Sequence, residues 1–164
     1  MRAKVSLIME TSKQDLTVSE FKKLLPPMRP VIGLDIGSKT IGVAASDATL
    51  MIATPVKTIT RTSFVRDMEE LGKYIAERNA CALVSGLPLE TSGKEGERAK
   101  ITRMIGDRIS EHTGLPIFYW DERFSSKVME RFMISEADLS RKKRKEAIDR
   151  SAAAYILQGF LDAI

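Results

Sequence analysis

Acidic side chains occur at three points of the sequence where they could do chemistry. Asp35 interrupts the apolar pattern VIGLDIG, and Asp121 and Glu122 directly follow the apolar run LPIFYW. Asp149 lies beside the apolar stripe of the last predicted helix. A carboxylate near a sheet interior is costly unless a metal ion, a hydrogen-bond donor or a positive charge meets it. These residues are therefore candidates for one acidic centre at an edge of a central sheet.

Each acid also has a purely structural interpretation. Asp35 could accept hydrogen bonds from the amides of the turn that follows it. Asp121, or Ser125, could cap the helix that is predicted to come next. Asp149 could simply provide a favourable charge in the first turn of the last helix. For Asp121, the capping and catalytic interpretations can coexist.

The remaining residue types restrict the chemistry that such a centre would support. The only histidine, His112, lies near the end of a predicted helix, and the only cysteine, Cys81, lies in an apolar run typical of a buried strand. Zinc sites and Ser/His or Cys/His nucleophiles are therefore disfavoured. Oxygen donors suit Mg²⁺ or Mn²⁺, which support phosphodiester cleavage by an activated water.

Basic residues occur where a polyanionic substrate would need them. A Gly-rich loop at 86–96 follows a buried strand, and its amides with Lys94 or Arg98 could hold a phosphate. Such loops and charge runs are often only solvated, but each cation can also neutralise a phosphate that carboxylates would repel. Carboxylates beside a basic rim indicate a metal-dependent nuclease. The strongest basic run, before the last predicted helix, comprises Arg141, Lys142, Lys143, Arg144 and Lys145.

Alternating hydrophobicity predicts that Asp35 sits on a strand. It falls on the face opposite to Ile32 and Leu34. Gly37 and Ser38 then make a tight turn into a second strand. Asp35 is therefore expected on rigid backbone beside a hairpin.

The rest of the sequence predicts one more strand of a meander and then alternating helices and strands. The third strand, at 50–59, contains Pro55, which suits an edge strand or a bulge. Later elements are a helix through Phe64, Met68, Leu71 and Ile75, a buried strand at 81–85, a helix whose Ile101, Ile105 and Ile109 face the sheet, a strand at 115–120, and a last helix at 146–164 that buries Ile148, Ala152, Tyr155, Ile156 and Phe160.

Composition limits the class of protein. The chain has 164 residues, of which 43% are hydrophobic and 29% charged, and these values predict one soluble domain without a membrane span. A net charge of +4 permits a nucleic-acid partner. A single cysteine excludes an internal disulfide and fits a reducing compartment such as the cytoplasm.

Residues 1–29 are predicted to form an N-terminal extension, partly helical or disordered, before a nuclease domain at 30–164. A short helix is expected at 18–25, and prolines break it before the first strand. If the extension is the remnant of a targeting peptide, an organelle is the alternative location.

Four motifs, in order, resemble a known family. LDIGSKTIGVAASD, GLPLETSGKEGERA, DERFSS and IDRSAAAYILQGFL span about residues 30–164 and resemble the YqgF/RuvX family of Holliday junction resolvases or pre-16S rRNA nucleases, within the ribonuclease H-like fold. The resemblance implies an α/β fold with a mixed five-stranded sheet, three antiparallel strands followed by two parallel ones, flanked by helices.

The resemblance also implies roles for the acids. The DxG aspartate corresponds to Asp35, the acid of the DER motif to Glu122 or Asp121, and the aspartate of the terminal DxxAA motif to Asp149. In this family pattern Asp35, Glu122 and Asp149 are the expected metal ligands.

Two basic positions match the same pattern. Lys39 and Arg123 are expected to contact phosphate or to position carboxylates. Similar proteins usually carry lysine-arginine before the second strand, whereas Thr40 follows Lys39 here, so one phosphate contact is not matched.

The resemblance covers two activities. We predict 5′-end maturation of pre-16S rRNA, which a monomer could perform, ahead of Holliday junction resolution in DNA recombination, which needs a homodimer that presents two sites. The first motif also resembles the phosphate-binding motif of actin-like and hexokinase-like ATPases, but those enclose nucleotide between duplicated domains and this chain has no internal repeat. A third alternative is a non-catalytic nucleic-acid-binding module, although clustered carboxylates would oppose phosphate binding.

Overall fold

A mixed five-stranded sheet forms the centre of the protein in the computed structural model, which describes residues 15–124 and 141–164 but not the side chains of 124 and 141–151. The spatial order is β3-β2-β1-β4-β5. β2 pairs antiparallel with β1 and β3, and β4 pairs parallel with β1 and β5, so the predicted mixed sheet is confirmed. The strands are β1 (Val31–Ile36), β2 (Thr40–Ser46), β3 (Ala53–Thr60), β4 (Ala82–Leu87) and β5 (Ile117–Asp121).

Helices cover both faces of the sheet in the described part of the chain. They are α1 (Val18–Leu24), α2 (Phe64–Arg78), α3 (Glu97–Thr113) and α4 (Arg141–Ala163), and a 3-10 turn, Glu122–Phe124, directly follows β5. Local sequence explains their ends: Ser63 accepts a hydrogen bond at the start of α2, and Asn79 ends that helix in the left-handed conformation. None of the described helices combines the length and apolarity that a membrane span needs.

The two faces of the sheet differ in what packs on them. Ile32 and Leu34 join the apolar core under α2 and α3, while Val31 joins the core under α1 and α4. Strand alternation therefore directs Asp35 to the α4 face, as predicted. α4 approaches β1 closely there, because a Cβ on Gly33 would lie 2.7 Å from Leu157 Cβ.

Several sequence predictions are confirmed in detail. β3 is an edge strand, and its register with β2 shifts beside Ala44, the partner of Pro55. Met68 and Leu71 are buried on the inner face of α2, and Cys81 is buried. The predicted helix that would carry Val128 and Phe132, and the turn at 135–140, lie outside the described residues.

The inner face of α3 differs from the prediction. Ile101 is 45% exposed, whereas Ala99, Thr102 and Ile109 are buried. The cause is Tyr119, whose ring occupies the space where a side chain at Gly106 would lie. Gly106 thus faces the sheet, and Ile101 is turned outward.

The last helix also differs from the prediction. α4 begins at Arg141 rather than at residue 146, so the basic run 141–145 forms its first turns instead of a preceding loop. Arg and Lys are good helix formers, and no Gly or Pro separates them from the rest of the helix. Ile156 and Phe160 are buried as predicted, together with Ala153, Leu157 and Leu161, whereas Ala152 and Tyr155 are only half-buried. The side chain of Ile148 lies outside the described part of the structure.

The short helix predicted at 18–25 is present, but it belongs to the core of the domain. Phe21 is completely buried, with its ring 5.3 Å from that of Phe118 and 5.9 Å from that of Phe160. Such aromatic packing stabilises the α4 face of the sheet. The segment from residue 15 onward is therefore packed as part of the domain rather than as an appendage.

Candidate active site

Two of the predicted acidic positions meet at one edge of the sheet. β1, β4 and β5 run in the same direction, and their pairing aligns Leu34 with Ser85 and Leu87 with Asp121. Asp35 follows Leu34 near the carboxyl end of β1, and Glu122 follows β5 directly. Carboxyl ends of parallel strands are where α/β sheets place ligands.

Glu122 reaches across the intervening strand because that strand has a glycine at the crossing point. β1 and β5 are separated by β4, a distance of about 10 Å between backbones. A Cβ on Gly86 would clash with Oε1 of Glu122 and would lie 2.6 Å from Cδ1 of Ile156. The Glu122 side chain therefore lies over the β4 backbone, where the charge of Asp35 acts on it.

This environment raises the pKa of Glu122 to about 7. Burial is the main cause, and the negative charges of Asp35 and Asp121 add to it, whereas the positive charge of Arg98 acts in the opposite direction. Carboxylates that repel each other in this way are harder to ionise together, so a proton on Glu122 or a bound cation would relieve the repulsion.

Asp121 has the opposite environment, because Arg123 neutralises it. Nε of Arg123 lies 3.0 Å from each carboxylate oxygen of Asp121, and Nη2 lies 2.6 Å from Oδ2. The backbone N–H of Arg123 also donates to Oδ1, at 3.0 Å. The hydrogen bond from the guanidinium is the main cause that lowers the pKa of Asp121. Asp121 therefore accepts hydrogen bonds at the start of the 3-10 turn, and the helix that it was predicted to cap lies outside the described residues.

Arg123 also holds the Gly-rich loop. Its Nη1 donates to the carbonyl oxygen of Thr91 at 3.4 Å, and it would lie 3.3 Å from a Cβ on Gly93, whose φ is +86°. The Arg123 guanidinium therefore contacts both the Asp121 carboxylate and the loop.

Three other basic residues that the sequence predicts for the site lie toward the same edge. Lys39 is exposed in the turn between β1 and β2, Lys94 is exposed in the Gly-rich loop, and Arg98 is exposed in the first turn of α3. The positions of Arg141, Lys142, Lys143, Arg144 and Lys145 lie on α4, but their side chains are outside the described part of the structure.

The path of α4 brings position 149 toward this edge. Gln158 bonds to the N–H of Ala53 and the carbonyl of Met51 at the opposite end of the sheet, so earlier residues of α4 lie nearer to the acids. One helical turn after position 149, the carbonyl of Ala153 would lie 2.9 Å from a Cβ on Gly33. Gly33 precedes Asp35 by two residues on the same strand face.

Within the side chains that the structure describes, no group of three Asp, Glu, His or Cys residues forms a metal site. The side chain of Asp149, the third acid of the predicted set, is not among them.

Sequence analysis missed the role of Gly86. The sequence predicted it as the first residue of the Gly-rich loop at 86–96, whereas it lies within β4 and lets Glu122 cross that strand. The signal was a glycine at the carboxyl end of the strand that separates two acid-bearing strands, and recognising it requires the strand order.

Comparisons with known proteins show the family of this chain. The family model described as "RuvX: Holliday junction resolvase" matches residues 29–163. Proteins named "Putative pre-16S rRNA nuclease" from Rhodospirillum rubrum and Cereibacter sphaeroides are 48% and 49% identical to this chain over 148 residues, which are 90% of this chain and 92% of theirs. These matches cover more than residues 30–164, so the similarity reaches into the segment that contains α1.

A solved structure shares the fold at low sequence identity. The structure titled "T. thermophilus RuvC in complex with Holliday junction substrate" is 10% identical, has a TM-score of 0.50, and covers 82% of this chain and 95% of that one. Fold, acidic edge and relatives define a nuclease, a hydrolase of phosphodiester bonds in nucleic acids. The chain belongs to the RuvX family, also called YqgF. The family model matches residues 29–163 as one domain, which argues against the ATPase alternative, in which two duplicated domains enclose a nucleotide.

Proposed function

We propose that this protein is a divalent-metal-dependent nuclease that matures the 5′ end of pre-16S rRNA, with Asp35, Glu122 and Asp149 as metal ligands. The observation that carries the proposal is the placement of the Glu122 carboxylate over Gly86, within the field of Asp35. A fold retains such an unfavourable pair when a ligand uses it. The names of the relatives support the choice of rRNA.

The donor set fits Mg²⁺ or Mn²⁺. Asp35 and Glu122 offer oxygen atoms only, and position 149 on α4 lies toward the same edge. When bound, the metal would activate a water molecule and stabilise the leaving oxygen of the phosphodiester. Glu122 must release its proton to bind a cation, and its pKa of about 7 allows this near neutral pH.

The basic residues would hold the substrate strand. Lys39, Lys94 and Arg98 are exposed at the edge where the scissile phosphate would lie. The five cations at 141–145 oppose the dipole of α4 at its N-terminus, and a phosphate backbone near them would offset this cost. Arg123 holds Asp121 and the loop, so it supports the site rather than the strand.

The experiment is metal-dependent cleavage of three end-labelled substrates: a precursor rRNA fragment, a single-stranded RNA and a four-way DNA junction. Wild type and Asp35→Asn are compared with Mn²⁺, Mg²⁺ or EDTA. We expect cleavage of the precursor that requires both metal and Asp35. Preference for the junction would favour resolvase activity, and the protein should then be a dimer rather than a monomer. Salt-sensitive binding without cleavage would favour the binding module instead.

For location, we propose the cytoplasm. The single unpaired cysteine, which is buried, fits a reducing compartment.

A further inference from the structure

A groove beside the turn between β1 and β2 carries cationic and aromatic groups that the proposed metal site does not use. It has a volume of about 350 Å³, within the range of ligand sites. The end of β3, the start of α2 and the middle of α3 form its walls. The lining residues include Ser38, Arg61, Phe64, Asp67 and Arg108, with Ile41 and Ile105 between them.

Arg108 is held in a defined position in this groove. Its Cζ lies 3.9 Å from the centroid of the Phe64 ring, whose other contacts include the edge of the His112 ring at 5.6 Å. Arg108 is exposed, so its guanidinium lies between the aromatic ring and solvent. A stacked guanidinium keeps its N–H groups around its rim, where they can donate to phosphate oxygens.

Arg61 adds a second positive charge at the floor of the groove. Its Nη1 donates to the carbonyl oxygens of Gly37 at 2.8 Å and Ser38 at 3.4 Å. Among the described residues that line the groove, the one acid is Asp67, which is 5% exposed and accepts the N–H of Thr62 at 3.1 Å. The groove therefore has two cations against one buried carboxylate, a balance that suits an anionic ligand.

The groove lies close to the acidic edge of the sheet along the chain. Ser38, which lines it, follows Asp35 by three residues, so their Cα atoms are at most about 10 Å apart. This distance corresponds to about three nucleotides of a stacked strand at roughly 3.4 Å each. The β1–β2 turn separates the groove from the acids, which lie on the other face of the sheet.

We propose that this groove binds the phosphate backbone of the substrate strand a few nucleotides from the bond that is cleaved. Arg108 and Arg61 contact phosphate, and the apolar floor formed by Ile41 and Ile105 lies against sugar or base. The proposal rests on the proposed nuclease function, and it adds a binding site on the face of the sheet opposite to the metal ligands. The strand crosses the β1–β2 turn between the two.

Arg108→Gln tests the groove through the salt dependence of binding. The probe is a fluorescent single-stranded precursor rRNA fragment, and anisotropy is measured from 50 to 300 mM KCl in the Asp35→Asn background, which prevents cleavage. Loss of one phosphate contact should reduce the slope of log K against log salt by about 0.7 and weaken binding by roughly 3- to 10-fold at 0.1 M salt. Arg108 is exposed, so the variant should fold normally, which circular dichroism checks.

Arg78→Gln is the matched control, because it also removes one positive charge. Arg78 lies at the end of α2, about 20 Å along that helix from Phe64, the residue on which Arg108 packs. Equal effects of the two variants on RNA binding would contradict the proposal that the groove binds phosphate.

A series of RNAs shortened from either end then locates the nucleotides that occupy the groove. The effect of Arg108→Gln on binding should vanish once the nucleotides on one side are removed. An effect that persists on every RNA would contradict a groove a few nucleotides from the cleavage site.

The two proposals can fail separately. If Arg108→Gln but not Arg78→Gln weakens RNA binding, and wild type cleaves no substrate, the groove proposal stands and the nuclease proposal is wrong. Metal-dependent cleavage in which Arg108→Gln has no effect on KM, kcat or the salt slope would do the reverse.

Discussion

Asp121 and Glu122 are consecutive residues whose side chains occupy opposite electrostatic environments. Arg123 holds the carboxylate of Asp121 with a bidentate pair and lowers its pKa. Glu122 instead extends over Gly86 toward the charge of Asp35, and its pKa rises to about 7. The first arrangement is electrostatically complete within the protein. The second makes ionisation of Glu122 costly, so the comparison separates a supporting acid from a candidate ligand.

The largest expected effect follows from neutralising each of these two acids in turn. Glu122→Gln keeps the shape of the side chain but removes a ligand, and we expect cleavage to fall by about 10²-fold or more. Asp121→Asn weakens a partly exposed ion pair, worth about 1 kcal/mol or less, and should cost less than about fivefold. Single-turnover cleavage with saturating Mn²⁺ measures both.

Binding supplies the control for this pair of variants. Glu122→Gln should bind RNA as tightly as wild type or more tightly, since a negative charge that faces phosphate is lost. Equal losses of activity in the two variants would mean that the contrast between Asp121 and Glu122 has no catalytic meaning.

The fold could be predicted because local signals dominate it. Alternating apolar residues specified β1 and the face of Asp35, and four motifs in order matched one family. The α3 face could not be derived from α3 alone, because the ring of Tyr119 on β5 selects Gly106 as the contact and turns Ile101 outward. The position of Phe21 in the core depends in the same way on Phe118 and Phe160, which are distant in sequence.

The candidate site could be predicted as a set of residues but not as an arrangement. Sequence placed Asp35 and the Asp121–Glu122 pair at the ends of strands. The difference between Asp121 and Glu122 depends on Gly86, on a strand that pairs with both β1 and β5 only after folding. The groove at Arg61 and Arg108 is also assembled from distant segments, so neither residue stood out in the sequence.

Gly86→Ala should remove the difference between Asp121 and Glu122 by displacing the Glu122 side chain. The added methyl group would clash with Oε1 of Glu122 and contact Ile156, so the carboxylate must move away from Asp35. We expect a loss of cleavage of about 10- to 100-fold and a destabilisation of about 1–3 kcal/mol. Gly72→Ala is the matched control, because no atom lies within 4 Å of its added Cβ in α2. That change should stabilise the helix by roughly 0.5–1 kcal/mol and leave activity intact.

Glu122 should make the metal-free protein less stable as the pH rises. Folding raises its pKa from 4.5 to about 7, so between these values the folded state binds more protons than the unfolded state. Stability therefore falls as pH increases through this window, by no more than about 3.4 kcal/mol, and most of the loss has occurred once the pH exceeds the folded pKa. Glu122→Gln removes this penalty and should unfold at higher denaturant concentration than wild type at pH 8 in EDTA, with little difference at pH 4. A wild type that gains stability from pH 5 to 8 relative to the variant would contradict the raised pKa.

Asp121 should show the smallest effect, and with the opposite sign. Its folded pKa is lowered from the ordinary value of 3.8, so its pair with Arg123 contributes stability above that pH and loses it as the pH falls through the folded pKa. Because Arg123 is 41% exposed and solvent screens the pair, we expect Asp121→Asn to cost less than about 1 kcal/mol at pH 7. Urea unfolding of Asp121→Asn and Glu122→Gln from pH 3 to 8 should thus give difference curves of opposite slope. The pKa of Asp121 lies below its ordinary value of 3.8, and that of Glu122 rises from 4.5 to about 7, so the two curves change in separate pH windows. Parallel curves would show that one shared perturbation, rather than two distinct environments, controls both acids.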